Sequence, residues 1–321
     1  MKVLVSGIEV PIEILNYVNS CNGQVLTLTG KNSKKELDQI LPDTNFYLLG
    51  GNEYLDYELL YKATELKVIV VLAAGASSFV DIEAANERGI KVLNTPGANA
   101  LAVAEFAVAQ MLATRRNLIG SVLNSMVRCR SQEVTNSRIG ILGLGAIGYQ
   151  VACILRSGFN CDVSYTSRSR KLDVEEKLKI TYVSLEELFN TTSTVIVCCD
   201  LNTQTEGLIS SSLFGRKART IVGISDIRVF DILSIINNLK DGHLDAVALD
   251  VSLDLFSSCL PSKINRKELS YHGLYVTPHI AANSHEAWAR MIAMGTDKLL
   301  QSMDSKENHY ARKYYKGPET A

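Results

Sequence analysis

"RIGILGLGAIGYQVACIL", residues 138–155, decides the architecture of this 321-residue chain. A short β-type run ends at Leu142, and Gly143, Gly145 and Gly148 follow in the spacing G-x-G-x-x-G before the apolar positions take up a helical period. A strand handing over to a helix through that spacing is the context in which the pattern reads as a dinucleotide site. The glycines permit a tight turn, close approach of a pyrophosphate and close packing of helix on strand. The helix N-terminus offers unpaired N–H groups and positive dipole to phosphate, and Ala146 and Ile147 add backbone donors without bulk.

Just over twenty residues on, "CDVSYTSRSRK" is the next strand, and the cofactor's ribose is read at its end. An acid there suits a free 2′-hydroxyl. This chain instead has Thr166, Ser167, Arg168, Ser169, Arg170 and Lys171. Hydroxyls and guanidinium groups suit a 2′-phosphate, which a carboxylate would repel. The expectation is NADP(H) rather than NAD(H).

Outward from the motif, apolar runs alternate with stretches of helical length. "KVLVSG", "NFYLLGG", "LKVIVVLAAG" and "IKVLNTPG" form one series, and "SRIGILGLG", "CDVSYTSR", "STVIVCCD", "ARTIVGIS", "LDAVALDV" and "GLYVTPHI" form a second. Such alternation predicts α/β lobes with doubly wound parallel sheets, here two of them. Between the series, "NALAVAEFAVAQMLATRRN" is apolar on nearly every face except at Glu105 and Gln110, and ends in Arg115 and Arg116, where cations suit a helix C-terminus. A helix buried all round is expected, packed between lobes or subunits. "SMVRCRSQEVTNS" is a crossing into the second lobe, and the polar "QSMDSKENHYARKYYKGPETA" reads as a partly ordered tail.

The 33 basic and 34 acidic residues leave a formal charge of −1, so no basic field invites nucleic acid or an anionic membrane surface. Seven scattered cysteines, Cys21, Cys129, Cys153, Cys161, Cys198, Cys199 and Cys259, lack C-x-x-C spacing and predict reduced thiols in a cytoplasm, with no metal site. Adjacent Cys198 and Cys199 suit a buried strand. No signal peptide or spanning segment is evident.

The order "VLAAGASSFVDIEAANERGIKVLNTPGANALAVAEFAVAQML", "GILGLGAIG", "VALDV", "VTPHIAANSHEA" resembles the D-2-hydroxyacid dehydrogenases, the group containing phosphoglycerate dehydrogenase, glyoxylate/hydroxypyruvate reductase and formate dehydrogenase. "SRSRK" is most similar to the NADPH-using hydroxypyruvate reductases. The resemblance implies two Rossmann-like lobes: a discontinuous outer one, 1–97 plus 283–321, and an inserted cofactor lobe, 98–282, with catalysis in the cleft. It also implies a homodimer formed through the cofactor lobe. By the same resemblance, the backbone of Ala74, Gly75 and Ala76 holds a substrate carboxylate, Asp250 holds the nicotinamide carboxamide, and His279 protonates the carbonyl oxygen as hydride arrives.

His279 also stands on its own residues. It follows Pro278 at the carboxyl edge of a strand, where open α/β sheets bind ligands, and histidine titrates where proton exchange is useful. His243, His272, His285 and His309 read as structural or surface.

Two positions depart from the family pattern N-x-x-R-G-x-x-x-D and F-x-x-E-P. In "IVGISDIRVFD", residues 221–231, anchoring on Asp231 puts Gly223 at the asparagine and Asp226 at the arginine. In "SLDLF", Leu255 takes the glutamate's place, with Asp254 beside it. The acid that pairs with His279 is absent, shifted to Asp254, or supplied elsewhere.

Reversing a unit charge about 4 Å from a substrate carboxylate is a matter of several kcal/mol even at an effective dielectric near 20. Three functions remain open. One is a reductase of a neutral or cationic carbonyl or imine. A second is a keto acid reductase whose anion site is rebuilt from Arg228 or the outer lobe. The third is a weakly catalytic nicotinamide-sensing binding protein. Gly50, Gly51, Asn52, Ser77 and Ser78 are candidate pocket residues that leave the substrate unspecified.

Overall fold

The computed structural model describes residues 1–28, 33–123, 131–260 and 273–304. Cys129, His272, His309, most of the crossing segment's first half and the tail beyond 304 lie outside them. The chain divides into two compact units, Met1–Asn99 with the stretch from His285 onward, and Ala100–Ser284.

The outer unit is a five-stranded parallel sheet of β1 (Lys2–Ser6), β2 (Gln24–Thr27), β3 (Phe46–Leu49), β4 (Val68–Val71) and β5 (Lys91–Asn94), in the order β2-β1-β3-β4-β5. Successive side chains of a strand face opposite sides, and β-branched and leucine runs fill both. Leu4, Tyr47, Leu49, Ile69 and Val71 make one core; Val3, Val5, Leu48 and Val70 make the other. Met291, Leu299 and Met303 of the helix His285–Met303 close that second core, so the chain returns to the outer unit after completing the other.

The cofactor unit holds seven parallel strands: β6 (Arg138–Leu142), β7 (Asp162–Thr166), β8 (Thr181–Tyr182), β9 (Thr194–Val197), β10 (Thr220–Gly223), β11 (Ala246–Asp250) and β12 (Leu274–Thr277). Their order is β12-β11-β10-β9-β6-β7-β8, which reverses direction between β6 and β9. This is the doubly wound Rossmann arrangement with one added edge strand, and ligands bind such sheets beyond the carboxyl ends at the reversal. Both units are Rossmann-like α/β domains.

Every run expected to be a strand is one. Two strands went unread, β2 and β8, because QVLT and the two-residue TY are too short and polar to carry a period. Cys198 and Cys199 follow β9 rather than lying within it, and are only partly buried. The long helix, Ala100–Arg115, packs on the motif helix (Ala146–Phe159) and on β10 and β11. It is not buried all round: Leu101, Glu105 and Ala109, one helical turn apart, stay exposed. Among the described residues no helix is long and apolar enough to cross a membrane, and no cluster of His, Cys, Asp or Glu suits a metal ion.

The end of the long helix is fastened by a buried charge. Arg115, 8% exposed, donates from Nη1 to Ser193 Oγ (2.7 Å) and Thr194 Oγ1 (3.0 Å), and from Nη2 to the Glu133 carbonyl (2.7 Å). Burial lowers its pKa, so these acceptors are what keep the cation tolerable. Replacing Arg115 by Met retains much of the packing and removes every donor. The urea midpoint should fall by an amount equivalent to about 2–4 kcal/mol.

Candidate active site

The three motif glycines are required for different reasons. Gly143 has φ +97°, and a Cβ there would lie 2.7 Å from the Cys199 amide nitrogen, so the turn after β6 runs against the end of β9. A Cβ on Gly148 would lie 2.0 Å from the Gly143 carbonyl oxygen, which shows how closely the motif helix sits on the strand. Gly145 differs: it caps that helix with no side chain, and a Cβ built on it meets nothing within 4 Å. Beside it Ala146 is exposed and Ile147 partly so. An open, side-chain-free helix N-terminus at the reversal of the sheet fits a dinucleotide pyrophosphate.

The loop after β7 sorts its two arginines. Arg170 is committed: Nε and Nη2 donate to Glu175 (2.9 and 2.8 Å), and the guanidinium lies 5.9 Å from the centre of the Tyr182 ring. Glu175 also accepts from the Tyr165 hydroxyl (2.8 Å), which in turn accepts from the Lys171 amide (2.7 Å). The Arg170 guanidinium holds the Glu175 carboxyl below its ordinary pKa. Ser167 donates to the Ser169 carbonyl (2.7 Å). Arg168 and Ser169 are exposed, and the Arg168 side chain has no hydrogen-bond or ion-pair partner among the described residues.

At the carboxyl ends of β10, β11 and β12 the structure gathers Asp226, Asp250 and His279. Parallel register puts Gly223 opposite Leu249 and Asp250 opposite Thr277, so the three loops leave one sheet edge. Asp226 accepts from Arg228 Nε (3.0 Å) and Nη2 (2.9 Å) and from the Arg228 amide (3.0 Å), a bidentate pair closing a short turn over 227–229. Arg228 holds the Asp226 carboxyl below its ordinary pKa, partly opposed by burial, and the nearby His279 ring pulls in the same direction. His279 is exposed and has φ +53°.

Asp250, 3% exposed, is turned toward the turn after β12: Oδ1 accepts from Thr277 Oγ1 (2.6 Å) and the Ile280 amide (2.9 Å), and Oδ2 from the Ala281 amide (2.8 Å). Asp254, by contrast, stands exposed in the first turn of the helix Leu253–Ser258, and no contact among the described residues joins it to His279.

The model of the D-isomer specific 2-hydroxyacid dehydrogenase NAD binding domain matches residues 105–281, more than half of the chain. The chain belongs to this family. It is similar to the glyoxylate reductase of Aeropyrum pernix, with 29% identity over 78% of each chain. In fold it is similar to the NAD-dependent formate dehydrogenase of Staphylococcus aureus solved with NAD (TM-score 0.75, 22% identity, 96% of each chain). It is likewise similar to an acyclic imino acid reductase, Bsp5, solved with NADPH and D-Arg (TM-score 0.74, 18% identity, 98% of each chain). As a 2-hydroxyacid dehydrogenase family member, the protein is an NAD(P)-dependent oxidoreductase acting on a hydroxyacid or carbonyl substrate.

In this dehydrogenase's outer unit, Ala74 and Gly75 are exposed after β4 and Ala76 opens a short turn, while the Ala74 carbonyl accepts from Asn94 Nδ2. A Cβ on Gly75 meets nothing within 4 Å, so the backbone is open there. His243 faces Asn238 on the surface and His285 is exposed. Unread in the sequence were Glu175 and Tyr165, which sequester Arg170, and Thr277. An acid five residues beyond Arg170 was the available signal for the first.

Two outcomes follow from this geometry. Gly145→Ala should leave thermal stability within about 1 kcal/mol, since its φ of −83° suits any residue, yet weaken cofactor binding at least about tenfold; Gly148→Ala should instead lower the melting temperature. Fluorescence titration and calorimetry separate the two. Because the folded Asp226 pKa is depressed, its stabilisation is present above the unfolded value and is lost as pH falls through the folded one. The stability gap between wild type and Asp226→Asn should therefore be flat from about pH 7 to about pH 5 and close only below the ordinary carboxylate value of about 3.9.

Proposed function

We propose that this dehydrogenase is an NADP(H)-dependent reductase of a carbonyl or imine substrate that lacks a carboxylate beside the reacting carbon. The observation that carries this reading is the bidentate Asp226–Arg228 pair. Position 226, the place of the family's anion-binding arginine, holds a carboxylate, and the cation two residues on is spent on it. A neutralised pair offers a substrate anion no net attraction, whereas a free guanidinium about 4 Å away would contribute several kcal/mol. Arg228 remains 60% exposed at its side chain while paired with the residue that caps its own short turn.

The cofactor is held by Gly143, Gly145, Ala146, Ile147 and Gly148 through the helix N-terminus and the open glycine. Ser167, Arg168 and Ser169 receive the 2′-phosphate, with Arg168 as the available guanidinium because Arg170 is locked to Glu175. The reduced nicotinamide supplies the hydride when bound. His279 donates the proton to the carbonyl oxygen or imine nitrogen. Asp226 stands near the His279 ring but is paired with Arg228, and Leu255 occupies the place of the family's acid. Asp254 is left as a reserve acid without a contact that supports it. Asp250 organises the same edge, and the backbone at Ala74, Gly75 and Ala76 contacts substrate in the outer unit.

The exposed stripe Leu101, Glu105 and Ala109 supports a homodimer through the cofactor unit. The scattered cysteines, without paired spacing, are the ground for placing the protein in the cytoplasm.

Parallel titration with NADPH and NADH, followed by a screen of neutral ketones, imines, glyoxylate and hydroxypyruvate, tests the reading. NADPH should bind at least about tenfold more tightly than NADH, with Arg168→Ala removing the difference. Turnover should favour the substrates without a carboxylate. Brisk reduction of glyoxylate that Arg228→Ala abolishes would replace it with a rebuilt keto acid site.

A further inference from the structure

Asp250 is a buried carboxylate, and a buried charge persists only where hydrogen bonds replace its water. Among the described residues its three side-chain hydrogen bonds come from the end of β12 and the short turn after it. Thr277 lies two residues before His279, Ile280 one after, and Ala281 two after. The turn thus wraps around a single carboxylate with the histidine at its crest, and His279 itself makes no hydrogen bond to Asp250. Its φ of +53° is a region that residues with a Cβ enter reluctantly, so something must hold it there. The His279 amide donates to the Thr277 carbonyl (3.0 Å), which also accepts from the Val251 amide (3.1 Å), pinning the near side of the turn to β11.

A further link reaches outward. Thr277 has one hydroxyl proton, and Gln110 of the long helix donates to its oxygen from Nε2 (3.1 Å). That contact uses the oxygen as acceptor and leaves the proton for Asp250 at 2.6 Å in preference to the Leu249 carbonyl at 3.3 Å, since a charged acceptor makes the stronger bond. Gln110 is buried, and this is its one side-chain hydrogen bond among the described residues; its Oε1 oxygen has no partner there.

We propose that Gln110, Thr277 and Asp250 form a positioning relay that holds the His279 turn in its left-handed conformation and so sets where the imidazole presents its proton. The proposal rests on His279 being the proton donor. It assigns Asp250 a contribution that acts through the backbone of the turn and does not depend on touching the nicotinamide. The asparagine variant cannot replace it: one amide oxygen accepts, but the –NH₂ group then faces an N–H or O–H donor of the turn.

Amide hydrogen exchange on the cofactor-free protein reads the relay directly. Asp250→Asn should speed exchange at Ile280 and Ala281 by about 10–100-fold, and Thr277→Val by a smaller factor, with Thr277→Ser restoring protection. Gln110→Met should speed it least, because it acts one bond further away. With the substrate that the screen above returns, Asp250→Asn and Thr277→Val should lower kcat by about tenfold or more while KM and NADPH affinity stay within about threefold, and Thr277→Ser should recover kcat. Unchanged exchange at both amides in Asp250→Asn would overturn the relay. So would a variant whose whole defect is in cofactor affinity with the turn still protected. His279→Ala is the separate control: full activity in that variant sinks the proton-donor reading, and loosened amides alone would then mark the relay as structural only.

Discussion

A parallel sheet delivers the carboxyl end of every strand to one edge, and the chemistry of this dehydrogenase depends on that constraint. In the cofactor unit, β6 ends at the glycine motif, β7 at the hydroxyl and arginine loop, β10 at Asp226, β11 at Asp250 and β12 at His279. These residues are spread over more than 130 positions of sequence, yet hydrogen-bonded register fixes their loops side by side. The reversal of strand order between β6 and β9 opens the sheet where Gly145 leaves a helix N-terminus uncovered. Nothing about the cradle requires a special side chain; it requires the absence of one.

The same edge shows charge being settled locally before any ligand arrives. Arg170 is bound to Glu175 and Arg228 to Asp226, each guanidinium meeting a carboxylate in a two-pronged arrangement. The consequences differ. At the β7 loop the pairing removes one cation and leaves Arg168 exposed. At the β10 loop it removes the nearest candidate for holding a substrate carboxylate, and an acid takes the place beside His279. Under the function proposed above, the first loop suits a 2′-phosphate and the second disfavours a substrate carboxylate.

Much of the fold and part of the site were legible in the sequence. Ten strands announced themselves because buried parallel strands are continuous apolar runs, and the glycine motif because its context of strand and helix is specific. The helix 100–115 was legible as a helix but not as a surface, since an apolar stripe at Leu101 and Ala109 looks in sequence like one more buried face. The substitution of Asp226 for arginine was visible as a reversal of charge. Its pairing with Arg228 is seen only in the fold. Asp254 was one candidate partner for His279 by position; it stands exposed, and no contact among the described residues joins the two.

The residue types at the strand ends, their order and the spacing of the glycines are properties of the sequence alone, because backbone sterics and hydrophobic period act locally. Which oxygen meets which proton was decided by tertiary structure: the resemblance implies that Asp250 holds the nicotinamide carboxamide, and only the fold shows that its carboxylate accepts from Thr277, Ile280 and Ala281. The reason is geometric. A hydrogen bond needs its atoms within about 3 Å and in line, and residues 27 to 31 positions apart reach that precision only after sheet register and helix packing have brought the turn back over the strand.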